Sequence, residues 1–357
     1  MIHAVTHDGE AYADDIMAAA ILKIASEGQI KISRTRNYST LRKADIVFDI
    51  GGEWDPKKGR FDHRQSHPPK RKNGFTYATA GLLWKEHARE CIENILIERG
   101  YENGSFFIEY FETIVPHMIR FIEKQLFQHL DIVDNDEGDY LLVNHRHIPG
   151  SLQVGNPCKN QFAHPNQKPY TFAKYLKSLS KSWWQTEEDE NEWFFDAVET
   201  AEDMLKDLIE DTFWYQKARR TVINKILEAQ GTEFASVLVL DQLMPYKFFK
   251  DHELRKAADV QFVVYPATSS SVATWKLVGV VDPDKSSMVK IPLPASWAGL
   301  AGGQLQKQSN CPQILSCANN LSFAIFKTQE AAIHVAKSLV DHKRLTARTP
   351  FEPINLN

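Results

Sequence analysis

Short apolar segments alternate with a helical segment over the first fifty residues, and this pattern constrains the fold more than any other feature. Residues 2–6 and 45–50 are short, apolar and partly β-branched, which is typical of buried strands. Asp14 and Asp15 precede an alanine-rich apolar stretch, as expected at the start of a helix. Another strand is predicted at about residues 30–36. Strands and helices that alternate at this spacing predict a mainly parallel sheet flanked by helices.

The rest of the chain predicts a long helix followed by a smaller domain. Residues 149–192 are irregular, and a strongly helical stretch then runs to about residue 230. Strands and turns follow, and a last helix is predicted at 328–340. We therefore expect an α/β protein with an N-terminal domain (1–150), an irregular connection with a long helix (151–232), and an α+β C-terminal domain (233–357).

Composition places the chain among soluble globular proteins. Hydrophobic residues make up 43% and charged residues 25% of the 357 residues. No run approaches the roughly 20 apolar residues of a membrane span, and the N-terminus lacks the pattern of a signal peptide. The four cysteines form no CxxC pair, which favours reduced thiols. We expect a cytoplasmic protein without a membrane partner. A homodimer is compatible with the sequence.

Residues with metal-binding chemistry occur where the predicted strands end. His7 follows the first strand, Asp49 ends the third, and His63 lies in the next loop. Ligands of parallel sheets bind at the carboxyl ends of strands. Mixed histidine and carboxylate ligands suit Mn²⁺, Zn²⁺ or Fe²⁺ better than Ca²⁺. Residues 131–135 form a further acidic cluster, at the end of a predicted helix, that would complete such a site.

Each of these residues also has a purely structural interpretation. An aspartate before an alanine-rich stretch, such as Asp14, is usually a helix cap. A histidine at a strand end, such as His7, is often only a hydrogen-bonded structural residue. Asp131 and Asp134 would fit a solvated helix end. A metal site is favoured because all four clusters fall where one site could use them.

A basic loop points to a polyanionic partner. Residues 57–72 contain seven Lys or Arg residues and one Asp, a local charge of +6 in a chain of net charge −4. Clustered cations provide salt-dependent phosphate contacts, although an ordinary solvated loop would look similar. The net charge excludes a globally basic nucleic-acid binder. The candidate phosphate-contacting residues are Arg64, Arg34, Arg36, Lys70, Arg71 and Lys72.

The motifs together resemble the melanocyte proliferating gene family of the DHH phosphoesterase superfamily. The matching segments run in the right order over nearly the whole chain. In the N-terminal half they are residues 6–9 with Asp14 and Asp15, 34–36, 49–56, 60–65, 73–78 and 131–135. In the C-terminal half they are residues 263–266, Trp275, 292–294, 297–300 and 327–328.

The resemblance implies a DHH-type N-terminal domain and a two-metal site. The family includes a 3′–5′ RNA exonuclease, so the implied substrate is RNA or single-stranded DNA. The implied cofactor is a divalent metal, one or two ions of Mn²⁺, with Mg²⁺ or Zn²⁺ as alternatives. Asp62 is implied to orient an imidazole, and Arg64 to hold a phosphate. The implied metal ligands are His7, Asp14, Asp49 as the bridge, His63 and Asp134; the implied catalytic residues are Asp49, His63, Arg64 and Asp62.

Three departures from the family pattern bear on activity. Tyr12 replaces the histidine of the His-x-Asp string in the first motif, which predicts a weakened first metal site. Asp8 could substitute, although neighbours in a strand usually point to opposite faces. Arg64 replaces the second histidine of the DHH motif and cannot trade protons. The family's His-Ala and Gly-Gly signatures fall near Ala318 and Asn319 and near Ala324 and Ile325, respectively.

The sequence therefore favours an enzyme, a metal-dependent phosphoesterase that acts as a 3′–5′ exonuclease on RNA or single-stranded nucleic acid. Two other functions stay open. The departures would fit a catalytically degenerate member that binds nucleic acid or a protein. The altered phosphate pocket at Arg64 would fit a phosphodiesterase for short dinucleotides.

Overall fold

The computed structural model describes residues 1–135, 187–232, 235–244, 259–267, 274–282 and 288–346. The chain divides into two compact units, Met1–Gln216 and Lys217–Asn357. The irregular connection predicted over 149–192 lies almost wholly outside the described residues, and the domain boundaries at 150 and 232 stay predictions. Within the described residues, no helix has both the length and the apolar character needed to cross a membrane.

A five-stranded sheet organises the first unit, and it confirms the predicted mainly parallel arrangement. The strand order is β2-β1-β3-β5-β4, and every neighbouring pair is parallel except β4 with β5. The register pairs Val5 with Val47, so His7 and Asp49, two residues further along, leave the sheet side by side. The strands are β1 (Ile2–Thr6), β2 (Ile30–Arg34), β3 (Ile46–Phe48), β4 (Trp54–Asp55) and β5 (Arg60–Phe61).

Helices complete the first unit, and its core lies between them and the sheet. The alanine-rich α1 packs against α3, because small side chains allow a close approach. Pro116 lies inside α4 without splitting it; the α-helical pattern changes instead in a π-helical segment, Glu123–Phe127. The helices are α1 (Ala13–Ala25), α2 (Tyr38–Lys43), α3 (Thr79–Glu98), α4 (Ser105–Ile122), α5 (Gln128–Asp134) and α6 (Glu187–Ala229), of which residues 217–229 belong to the second unit.

The second unit has the predicted α+β character. Its strand order is β6-β7-β8-β10-β9; β6 and β7 are parallel and the other neighbours are antiparallel. The last helix packs against this sheet. The elements are β6 (Val237–Val239), β7 (Phe262–Ala267), β8 (Thr274–Gly279), α7 (Gly302–Ser309), β9 (Ile314–Cys317), β10 (Phe323–Phe326) and α8 (Gln329–Thr346).

Candidate metal centre

Two groups of three ligand-type side chains lie at the carboxyl edge of the first sheet. In each group the ligand atoms lie within 4.8 Å of one another. The first group is His7, Asp15 and Asp49; His7 Nε2 lies 3.1 Å from Asp49 Oδ2 and 3.4 Å from Asp15 Oδ2. All three side chains are buried. This spacing suits a divalent cation held by one imidazole and two carboxylates.

The second group joins residues from three distant segments. It consists of Asp14, His63 and Asp134. His63 Nε2 lies 3.3 Å from Asp134 Oδ2, and His63 Nδ1 lies 3.8 Å from Asp14 Oδ2. The fold thus brings together all five side chains that the resemblance implied as ligands, divided between two groups.

Adjacent positions in the first turn of α1 supply one carboxylate to each group. Residues that follow each other in a helix point about 100° apart, so Asp14 and Asp15 face different neighbours. Asp14 accepts hydrogen bonds from the backbone N–H groups of Thr79, at 2.9 Å, and Ala80, at 2.8 Å. Asp15 Oδ1 accepts one from the Tyr12 backbone N–H at 2.6 Å. Both carboxylates are therefore held in fixed orientations.

Asp49 occupies a strained position between β3 and the following glycines. Its φ of 53° is left-handed, which is uncommon for a residue that is not glycine. Backbone strain of this kind clusters at functional sites, where surrounding contacts maintain it. Here Asp49 contacts His7 through Oδ2 and accepts a hydrogen bond from the Thr79 hydroxyl at Oδ1, 3.1 Å away.

The donor set fits a bound cation. Asp15 Oδ2 is buried and accepts no hydrogen bond. A buried anionic oxygen without a donor is unfavourable unless a positive charge lies beside it. The donors, two imidazoles and four carboxylates, are those that Mn²⁺ and Zn²⁺ accept. Both groups therefore have the composition and burial that divalent metal ions require.

Burial and mutual repulsion shift the protonation of these groups. Burial raises the pKa of Asp14 well above its usual range, with repulsion from Asp134 and Asp49 adding to it. Burial and Asp49 raise the pKa of Asp15 to about 7. Burial lowers the pKa of His7, but the hydrogen bond to Asp49 and the charge of Asp15 outweigh this and raise it overall. A divalent cation at the site would favour the deprotonated carboxylates.

Arg64 and Asp62 lie in the loop that follows β5. Arg64 Nη1 is 3.6 Å from Asp49 Oδ2, and its side chain is 49% exposed, so the guanidinium can reach a ligand in solution. Asp62 accepts backbone hydrogen bonds from Gly52 at 2.6 Å and from Arg64 at 2.9 Å. Those contacts order the loop and do not involve an imidazole, which differs from the orienting role that the resemblance implied.

The basic residues predicted to contact phosphate fall into two kinds. Arg71 is buried, forms ion pairs with Asp131 and Glu123, and lies over the Tyr77 ring at 4.1 Å. That placement is structural and does not present the guanidinium to a phosphate. Lys70 and Lys72, in contrast, are exposed.

The two arginines after β2 are held beside the first motif. Arg36 is exposed, and its Nε lies 3.0 Å from Asp8 Oδ1. Arg34 donates a hydrogen bond to the Gly9 carbonyl oxygen, and its guanidinium lies 4.6 Å from the centre of the Phe194 ring. Both therefore lie near the loop that carries His7.

Sequence reasoning missed Asp15 as a ligand candidate and considered Asp8 instead. Asp8 is exposed and pairs with Arg36, whereas Asp15 joins His7 and Asp49. Tyr12 does not occupy the first group: its side chain is 37% exposed and its hydroxyl donates to Glu10 at 3.2 Å. The available signal was the Asp14–Asp15 pair itself, since a helix turns successive side chains in different directions.

Asp131 and Thr79 have roles that local patterns did not indicate. Asp131 is buried, accepts a hydrogen bond from the Ala78 N–H at 2.9 Å, and pairs with Arg71. It is therefore a buried structural residue and not part of a solvated helix end. Thr79, the first residue of α3, contacts Asp14, Asp49 and His63.

Comparison with known proteins agrees with the motifs. The sequence model MYG1_exonuc, described as Uncharacterised protein family (UPF0160), matches residues 3–340. The MYG1 protein of Dictyostelium discoideum is 25% identical over 93% of this chain and 94% of its own. The MYG1 exonuclease of Mus musculus is 22% identical over 93% and 83%.

A solved structure is also similar. RecJ from Thermus thermophilus, in complex with Mn²⁺, matches 99% of this chain and 53% of that chain at 14% identity, with a TM-score of 0.26. The family match spans nearly the whole sequence and both units, and it agrees with the order of motifs read from the residues. This chain belongs to the MYG1 exonuclease family, the melanocyte proliferating gene family that its motifs indicated.

Proposed function

We propose that the protein is a metal-dependent phosphoesterase that acts as a 3′–5′ exonuclease on RNA or single-stranded nucleic acid. The observation that carries the proposal is the pair of adjacent, buried ligand groups at one sheet edge. The name MYG1 exonuclease, carried by relatives in mouse and cow, supports the same reaction class. Two closely spaced ions are a common machinery for phosphodiester hydrolysis.

His7, Asp15 and Asp49 would hold one ion, and Asp14, His63 and Asp134 the other. Asp49 would be the ligand best placed between the ions, because it contacts His7 directly and is linked to His63 through the Thr79 hydroxyl. When bound, the ions supply Lewis-acid activation of the phosphate and of water. By this proposal the first ion site has three ligands despite Tyr12, because Asp15 supplies the third.

Arg64 would bind a nonbridging phosphate oxygen beside the ions. Its guanidinium is permanently charged, half exposed and close to Asp49, so it can stabilise negative charge but cannot transfer a proton. Asp62 fixes the Arg64 backbone, which limits how far the arginine can swing. Lys70, Lys72 and Arg36 are exposed cations that would contact more of the nucleic-acid backbone.

Incubation of 5′-labelled single-stranded RNA and DNA with the protein and Mn²⁺ tests the proposal. We expect a ladder of products shortened from the 3′ end. Asp49→Asn should lower the rate by roughly 100-fold or more, since losing a supporting contact alone costs about 10–100-fold. Asp45→Asn is the matched control, because Asp45 lies at the other end of β3 and is exposed.

Other outcomes would point to the two remaining functions. Nucleic-acid binding that is insensitive to chelator and gives no product would favour a binding module. Faster hydrolysis of dinucleotides than of long strands would favour a phosphodiesterase for small substrates. A wild-type rate equal to that of Asp49→Asn would contradict the enzymatic proposal.

A further inference from the structure

We propose that Thr79 is a positioning residue that couples the two ligand groups by fixing the orientation of Asp49 and the tautomer of His63. The inference rests on the metal centre of the proposed function. Thr79 is fully buried at the start of α3, flanked by the buried Ala78 and Ala80. Its hydroxyl has no access to solvent, so its hydrogen bonds are with protein groups.

Thr79 contacts both groups at once. Its hydroxyl donates to Asp49 Oδ1 at 3.1 Å and lies 3.4 Å from His63 Nδ1, while its backbone N–H donates to Asp14 Oδ2 at 2.9 Å. Asp49 belongs to the first group, and Asp14 and His63 belong to the second. The hydroxyl holds Asp49 Oδ1, which leaves Oδ2 directed at His7 and Arg64.

The same hydroxyl faces His63 Nδ1 at 3.4 Å, as does Asp14 Oδ2 at 3.8 Å, and both oxygens favour a proton on that nitrogen. A threonine hydroxyl has one hydrogen, and here it is given to Asp49. The oxygen can then interact favourably with His63 only as an acceptor, which requires the proton on Nδ1. His63 Nε2, 3.3 Å from Asp134 Oδ2, keeps its lone pair and can bind a cation. The hydrogen bonds thus run in one direction: His63 donates to Thr79, and Thr79 donates to Asp49.

Two substitutions separate the hydroxyl from the shape of the side chain. Thr79→Val keeps the branched shape and removes the hydroxyl, whereas Thr79→Ser keeps the hydroxyl. We expect Mn²⁺ affinity, measured by calorimetry on the full chain, to fall about 10–100-fold in Thr79→Val. In Thr79→Ser it should stay close to the wild-type value. Equal affinities in wild type and Thr79→Val would overturn the proposal.

The tautomer is measured without metal or substrate. In ¹⁵N-histidine-labelled, metal-free protein at alkaline pH, with His63 assigned by a His63→Gln variant, we expect the proton on Nδ1 in wild type and Thr79→Ser. Protonation on Nε2 in wild type would overturn the inference, and this holds even if Thr79→Val fails to fold. If the proton is on Nδ1 but the wild-type protein hydrolyses no substrate, only the proposed function is contradicted. If the protein hydrolyses its substrate but the proton is on Nε2, only the role of Thr79 is contradicted.

Discussion

The two units differ in what they bury. Within its described residues, the first unit buries eight acidic, basic or imidazole side chains: His7, Asp14, Asp15, Asp49, Asp62, His63, Arg71 and Asp131. Among the described residues of the second unit, the buried polar side chains are Ser236 and Ser309, which carry no charge. The second unit's core consists of apolar side chains between its sheet and helices. Burying charge is unfavourable, so these buried groups lower the stability of the first unit, and the apolar core of the second unit has no such penalty.

The difference indicates where chemistry would take place. Buried, mutually repelling carboxylates are characteristic of sites that bind cations or shift pKa values for a reaction. In the second unit, Ala324 and Ile325, near which the family's Gly-Gly signature falls in the sequence, are residues of β10. Ala324 is fully buried in β10, paired with Leu277 on one side and Cys317 on the other. Ala324 thus contributes to the apolar core of the second unit, whereas the first unit contains two groups of metal-ligand residue types.

The largest expected effect is on the buried ion cluster of the first unit. Arg71→Met leaves Asp131 and Glu123 without their cation and should lower the free energy of unfolding by about 3–5 kcal/mol. Lys225→Met breaks the ion pair of the half-buried Lys225 with the exposed Asp241 in the second unit, and it should cost less than about 1 kcal/mol. Urea unfolding measures both. Similar losses of unfolding free energy in the two variants would contradict the proposed difference between the two units.

Metal binding should stabilise the first unit. A ligand that binds only the folded state at a hundredfold excess over Kd adds about 2.7 kcal/mol, so Mn²⁺ should raise the melting temperature. The rise should be smaller for Asp15→Asn, because the first ligand group loses a carboxylate charge. Asp8→Asn, which changes an exposed carboxylate, should respond to Mn²⁺ like wild type. Equal responses of both variants would exclude Asp15 as a ligand.

Stability of the metal-free protein should depend on pH in an unusual direction. Burial raises the pKa of Asp15 and of Asp131 to about 7, and raises that of Asp14 well above its usual range. Between about pH 4 and these values the folded state binds more protons than the unfolded state, so the free energy of unfolding falls as pH rises. Urea unfolding after chelation should give lower stability near pH 8 than near pH 5, by the same linkage. Saturating Mn²⁺ should flatten this dependence on pH. Higher stability of the metal-free protein near pH 8 than near pH 5 would contradict the prediction.

The basic loop should contribute to affinity in a salt-dependent way. Replacing the exposed Lys70 and Lys72 by Ala should reduce the log–log salt slope for single-stranded nucleic acid by about 0.7 per lost phosphate contact. Lys307→Ala, on the exposed surface of α7 in the second unit, is the control and should leave the slope unchanged. Arg71 is omitted because its replacement would disturb folding. Equal slopes in all variants would identify Lys70 and Lys72 as ordinary surface residues.

The smallest expected effect is that of Tyr12→His. The sequence alone predicts that restoring the family's histidine would strengthen metal binding. In the structure the Tyr12 side chain is turned toward Glu10, and Asp15 is the third member of the His7 group. We therefore expect similar Mn²⁺-induced shifts in melting temperature for Tyr12→His and wild type. A clearly larger shift for the variant would show that position 12 can reach the ions.

The sequence by itself determined the elements and most of the site residues. The alternation of strands and helices predicted the parallel sheet, because each segment carries its own pattern of apolar residues. Placing His7 and Asp49 at strand ends predicted that they meet, since neighbouring parallel strands end at the same edge. The family motifs added Asp14, His63 and Asp134, and the fold brings these three together.

Only the tertiary structure decided which charged residues lie next to one another. Asp15 joins His7 because of the rotation of α1 against the sheet, and Arg71 is withdrawn from solvent because Asp131 and Glu123, more than fifty positions away, receive it. Thr79 meets Asp14 and Asp49 across 65 and 30 positions. Such partnerships depend on the packing of distant segments. A local pattern records which side chains can carry charge, but not which neighbour neutralises it.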